Sequence, residues 1–336
     1  MHLGQEIYLF FNKYGAFGLV GIIVSMMIMT LIIYKVLKIS CKNSDIKTYS
    51  NFIDKIMDGK KKDSKFNITT IIQNVINIFL LITFYIMIAG FAAYFKQEFG
   101  FNQIIGSVII AIFCYITFNK DINGIIKVNS LVVPAIIGLI ILLGIGQGKE
   151  IKVTNLIFEN SNWKWVISGI LYASYNSILL IPMLISLKKQ IREEKHIKII
   201  SIICMIILIV LSVVIFLLIE TIENPENIEL PLVYIAGSLK SVYKYLYGVV
   251  ILSAIFTTAI SAGYGFLNNV SKNKKEYLYL NLFICVSSVL VSNIGFSNLI
   301  SYLYPVFGVL GIVQIFYICK FVGADDSVRP KREKNV

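Results

Sequence analysis

Three short stretches of this chain set polar side chains among apolar ones, and each suggests its own chemistry. Gly4-Gln5-Glu6 opens an apolar run that ends at Phe11. Inside a membrane protein, an ionisable residue such as Glu6 serves by default as a proton carrier or a polar anchor for a solute. At an exposed N-terminus it would only favour the positive end of a helix. The second stretch is YASYNS, Tyr172 to Ser177, in the middle of the apolar run 163–187 and between Gly169 and Pro182. Four consecutive polar residues point all round a helix, and Ser and Asn offer bonds that compete with helical ones. This predicts a helix interrupted near the bilayer midplane, with Tyr175, Asn176 and Ser177 presenting side chains and freed backbone groups. The alternative is an intact helix whose Ser and Asn bond to neighbouring helices. The third is AIFTTAISAGYG, Ala254 to Gly265, in which Thr257 and Ser261 form an i,i+4 pair beside Thr258. Their hydroxyls suit a small hard cation if carbonyls complete the shell. Equally, each could return its proton to a carbonyl of its own helix.

Little else in the sequence is reactive. The five cysteines (Cys41, Cys114, Cys204, Cys285, Cys319) are far apart, and His2 and His196 are isolated. Neither a disulfide framework nor a metal centre is expected. No H-E-x-x-H, G-x-S-x-G or Walker-type pattern occurs, and the intramembrane carboxylates do not pair, so the chain is not expected to be an enzyme.

The elements that must position these groups are membrane helices. Hydrophobic residues make up 57% of the 336 positions and charged residues 15%, against roughly 45–50% and about 25% in soluble domains. Spanning runs occur at about 16–39, 68–95, 101–119, 122–146, 163–187, 197–219, 243–267, 277–294 and 297–320. Each is apolar nearly all round, as a span should be. If these nine runs alternate in direction, 24 of the 31 Lys and Arg residues fall on one side and seven on the other. That asymmetry, rather than nucleic-acid binding, accounts for the net charge of +12. It predicts that the lysine-rich side and the C-terminus are cytoplasmic. The run 3–11 is too short to span, so it is expected to begin near mid-membrane and to end at an outside loop, Asn12–Gly15.

The three stretches together resemble the YkvI-type bacterial membrane proteins, a branch of the amino acid–polyamine–organocation transporter superfamily. The resemblance covers the chain from residue 4 onward. It implies the LeuT-type architecture: ten core helices in two inverted five-helix repeats, the first helix of each repeat broken. The repeats would span about 1–146 and 163–320, followed by a cytoplasmic basic tail, 321–336. Members of the family open with a stretch like GAGFASGQE. GQEIYLFF, Gly4 to Phe11, therefore resembles the outer half of helix one, and the nine full spans resemble helices two to ten. The inner half of helix one would be missing from this sequence. YASYNS resembles the break in helix six, and AIFTTAISAGYG resembles helix eight, where sodium-dependent members place two hydroxyl ligands after a small residue.

The resemblance implies a secondary transporter in the cytoplasmic membrane of a bacterium. It would move an amino acid or similar small organic solute by alternating access, with Na+ or H+ as the coupling ion. Gly4, Gln5, Glu6, Tyr175, Asn176 and Ser177 would line the solute site. Ala254, Thr257 and Thr258, with Ser261, would form a sodium site. Two alternatives stand beside this: a solute-sensing subunit of the germinant-receptor type, and an inactive truncated transporter.

Overall fold

The nine apolar runs each fold as one helix in the computed structural model, which describes residues 4–43, 45–46, 49–56, 68–119, 123–148, 150, 163–188, 191, 194–239 and 241–325. In chain order the helices are α1 (Gln5–Phe10), α2 (Ala16–Lys42), α3 (Tyr49–Ile56), α4 (Ile68–Phe99), α5 (Gln103–Phe118), α6 (Asn123–Gly146), α7 (Lys164–Leu187), α8 (Glu194–Ile219), α9 (Pro231–Leu239), α10 (Ser241–Val270), α11 (Lys274–Ser292) and α12 (Phe296–Asp325). Among the described residues there is no strand, and six helices are long and apolar enough to cross a membrane: those in α2, α4, α8, α10, α11 and α12. Faces rich in large exposed side chains, such as Ile199, Ile203, Ile206 and Val210 on α8, would be a liability in water and suit lipid. The protein is therefore a polytopic helical membrane protein. α12 continues through 321–325, the first residues of the expected basic tail; its remainder, 326–336, lies outside the described residues.

Local chemistry fixes where the helices turn. Gly100 (φ 68°) and Gly295 (φ 93°) take left-handed backbone between α4 and α5 and between α11 and α12, which side chains with a Cβ resist. Asn102 caps α5 by accepting from the Ile104 amide at 3.0 Å. Asn273 caps α11 by accepting from Glu276 N at 2.9 Å, while the Glu276 carboxylate accepts from Lys272 N at 2.9 Å, a relative of the capping box. At the end of α2, the Lys188 ammonium donates to the carbonyls of Ser40, Asn43 and Ile46, opposing the negative end of that helix.

The helices form two layers. α7 packs against α2 and α12, and α2 against α8; opposite them α4 packs against α10 and α5, and α11 against α5 and α4. α6 joins the layers by touching α8 and α10, and α12 joins them by touching α2 and α4. The short helices sit at opposite ends: α9 against α10, α8 and α6, and α3 against α4, α12 and α7. Glycines permit the closest crossings. A Cβ on Gly169 would lie 3.0 Å from the Gly21 carbonyl, and one on Gly311 only 2.2 Å from the Ser174 carbonyl, so α7 meets α2 and α12 nearly backbone to backbone.

Two expectations are corrected. α7 runs unbroken through YASYNS, because three of its polar side chains spend their protons on its own carbonyls. Ser174 donates to Ile170 O at 2.6 Å, Asn176 to Tyr172 O at 2.9 Å and Ser177 to Ser174 O at 2.6 Å. Nor does α1 begin near mid-membrane. Gly4 lies against Leu232 of α9 and Ile219 at the end of α8, and Gln5 bonds Ser297 at the start of α12. The helix therefore lies across the α9 end of the bundle.

Candidate functional site

The groups that converge in the core come from α1, α7 and α12. Glu6 is 1% exposed. Its carboxylate accepts a hydrogen bond from the Tyr175 hydroxyl of α7, and Tyr304 of α12 packs against that same tyrosine. The two phenol rings stack with centroids 4.5 Å apart. Phe10 lies 5.6 Å from Tyr175 and 5.5 Å edge-on from Tyr172, completing an aromatic wall around the acid. The neighbouring Gln5, also 1% exposed, donates through Nε2 to Ser297, and its Oε1 is buried without a partner among the described residues. Ser168 Oγ donates to Phe10 O at 2.7 Å and so ties the end of α1 to α7. The result is an acidic, aromatic cluster with one orphan acceptor, and its chemistry suits a cation or a transferable proton.

The α9 end of the bundle is tied by polar bonds. Asn12 Nδ2 donates to Phe216 O at 3.0 Å and to Glu220 at 2.8 Å. Gln97 clamps Leu230 from both sides, donating to its carbonyl at 3.3 Å and accepting from its amide at 3.1 Å. Glu229 accepts from the Phe296 amide at 3.0 Å, at the positive end of α12. At the opposite end, a cavity of about 610 Å3 opens between α3, α4, α7 and α10, lined by Tyr49, Gln73, Asn77, Pro182, Asn268 and Asn269. Its wall includes Ile178, three residues along α7 from Tyr175, or about 4.5 Å of helix rise. Tyr49 sits at the mouth, bonded by Gln314 at 2.6 Å, and burial pushes its phenol above the ordinary range.

The predicted solute-site residues therefore divide. Gln5, Glu6 and Tyr175 come together, and Gly4 starts the helix that carries two of them. Asn176, half-buried, and Ser177, buried, bond within α7. The predicted sodium ligands lie in the other layer. Ala254 O accepts from Thr257 at 3.1 Å and from Thr258 at 2.8 Å, and Ser261 donates to Thr257 O at 2.8 Å. Thr257 is buried and Ser261 exposed. The principal neighbours of α1 are α7, α8 and α12, whereas those of α10 are α4, α5, α6, α9 and α11. Tyr304, Ser297 and Phe10 were not expected. Tyr304 stands before Pro305 in α12, and nothing in its local spacing links it to Glu6.

These features define a helical membrane protein with a buried acidic site. The chain is similar to the uncharacterized membrane protein YkvI of Bacillus subtilis (strain 168), with 26% identity over 327 residues, covering 94% of this chain and 90% of that protein. It is also similar to the uncharacterized protein YyaD of the same organism, with 25% identity over 251 residues and 72% of each chain. No family model matches.

Proposed function

We propose that the protein is a secondary transporter of the LeuT-type architecture that moves an amino acid or similar small organic solute, with Glu6 carrying the coupling proton. The observation that carries this reading is the Glu6 carboxylate, buried in the core and held by Tyr175. A carboxylate at that depth is costly and marks an ion or substrate pathway by default. The ammonium of an amino acid would meet Glu6, the tyrosine rings and the orphan Gln5 acceptor.

Helix pairing supports the architecture. Exchange α2 with α8, α3 with α9, α4 with α10, α5 with α11 and α6 with α12, and most contacts turn into other observed contacts. Thus α2–α12 becomes α8–α6, α4–α12 becomes α10–α6, α4–α11 becomes α10–α5, and α3–α12 becomes α9–α6. That exchange symmetry supports a reading of two related repeats. On this reading the α9 end is external and closed, and the cavity beneath Tyr175 is the open cytoplasmic vestibule. The nine apolar helices are spans two to ten.

The test is uptake of radiolabelled amino acids into proteoliposomes, with an imposed pH gradient or sodium gradient. Accumulation driven by the pH gradient, and lost in Glu6→Gln, is the expected result. Saturable solute binding without flux would instead favour a receptor of the germinant type, and absence of both would leave an inactive transporter.

A further inference from the structure

A groove of about 250 Å3 lies between α1, α7 and α12 at the α9 end. Its walls are mostly apolar, with Phe10, Ile167, Leu171 and Pro305 beside the hydroxyls of Ser168 and Ser301, whereas Lys13 and Lys164 stand exposed on its lining. No acidic side chain lines it among the described residues. Lys244, at the same end, differs in that its ammonium lies 2.8 Å from Glu98. Lys164 is also the first residue of α7, which has no side-chain cap and no acid in its first turn. The positive end of that helix dipole adds to the field of the two lysines. Trp163 is exposed beside Lys164, and Trp165 stacks on Phe17 with centroids 5.9 Å apart. Tryptophan gathers at the headgroup level of a bilayer, so the lysines sit among headgroups and the apolar walls face the acyl chains.

We infer that this groove holds one anionic phospholipid. Its phosphate meets Lys13, Lys164 and the start of α7, and one acyl chain lies along Ile167, Leu171 and Pro305. A zwitterionic lipid would bring its own cation towards the two lysines, and a free phosphate would leave the apolar walls uncovered. Phe10 links the groove to the Glu6 cluster, because the same ring packs against Tyr172 and Tyr175. An occupied groove therefore braces α1 against α7. This inference is independent of transport.

Native mass spectrometry and thermal unfolding of the purified full-length protein test it, with phosphatidylglycerol, phosphatidylcholine and inorganic phosphate as separate probes. Phosphatidylglycerol should be retained and should raise the unfolding temperature, and the other two should not. Lys13→Ala with Lys164→Ala should weaken retention about 25-fold, roughly fivefold per lysine. Ile167→Trp, which fills the apolar part and keeps both lysines, should also expel the lipid. Lys198→Ala, on α8 and outside the groove lining, should change nothing. Equal retention of phosphatidylcholine, protection by phosphate alone, undiminished retention in either groove variant, or an equal loss in Lys198→Ala would overturn the inference.

Discussion

The Tyr175 hydroxyl donates to the Glu6 carboxylate, joining the middle of α7 to the first turn of α1. Both residues are nearly inaccessible to solvent. Tyr304 of α12 stacks on the Tyr175 ring, so α1, α7 and α12 meet around one acid. Any motion that parts α1 from α7 must break the Tyr175–Glu6 bond.

Glu6→Gln keeps the volume and some hydrogen bonding but cannot titrate. Proton-driven uptake should vanish in this variant, and solute exchange at zero gradient should persist with a flat pH profile. Counterflow measured across a pH series checks this. A profile matching the wild type would remove Glu6 from the coupling step.

Tyr175→Phe keeps the ring stack with Tyr304 and removes one bond to the acid. Hydrogen bonds to charged groups contribute about 1.5–3 kcal/mol, so thermal unfolding should fall accordingly. An unchanged melting temperature would show that this bond does not hold α1 to α7.

The helices were legible because long apolar runs mark them: all nine runs form helices whose ends lie within a few residues of the expected limits, and six of these are long and apolar enough to cross a membrane. α3 and α9 were not, since short helices in charged loops lack that signal. YASYNS misled because Ser174, Asn176 and Ser177 look like helix breakers in one dimension. Their partners are carbonyls three or four residues back in the same helix, so helix and side chains do not compete. Glu6 was conspicuous as a charge beside an apolar run, but Tyr304 and Ser297 are ordinary residues of α12 until folding brings them to α1.

Gly311 sets the distance between α12 and α7. A Cβ there would fall 2.2 Å from the Ser174 carbonyl, whereas a Cβ on Gly138 meets nothing within 4 Å. Gly311→Ala should therefore destabilise the protein by about 1–3 kcal/mol, the usual range for overpacking. Gly138→Ala should be neutral or stabilising by about 0.5–1 kcal/mol, from its better helix propensity. Gly311 lies two turns after Tyr304 on the same helix, so its variant should also reduce uptake. Paired melting curves and flux assays measure both effects.

Cys41 and Cys319 are exposed, and Lys35 at 3.5 Å from the Cys319 carbonyl ties α2 to α12 near them. Both thiols lie towards the lysine-rich end. If that end is cytoplasmic, an impermeant maleimide should leave them unmodified in intact cells and label them in inverted vesicles. Labelling in intact cells would reverse the orientation.

Thr257 and Thr258 separate the two coupling ions. Each hydroxyl already gives its proton to the Ala254 carbonyl, at 3.1 and 2.8 Å, and that carbonyl belongs to the same proposed cation shell. Serine and threonine in spans commonly close on their own helix in this way without binding anything. The principal helices around α10 also exclude α1, whose backbone would have to supply the opposing carbonyls. Replacing both by valine keeps the branched shape and removes both oxygens. Uptake should stay within about twofold of wild type, because each lost internal bond contributes only about 0.5–1.5 kcal/mol and the proton site is untouched. The measurement is initial uptake at fixed pH gradient, with sodium or choline as the external cation. A sodium requirement in the wild type that disappears in the double variant would assign coupling to α10 and reduce Glu6 to an anchor for the solute.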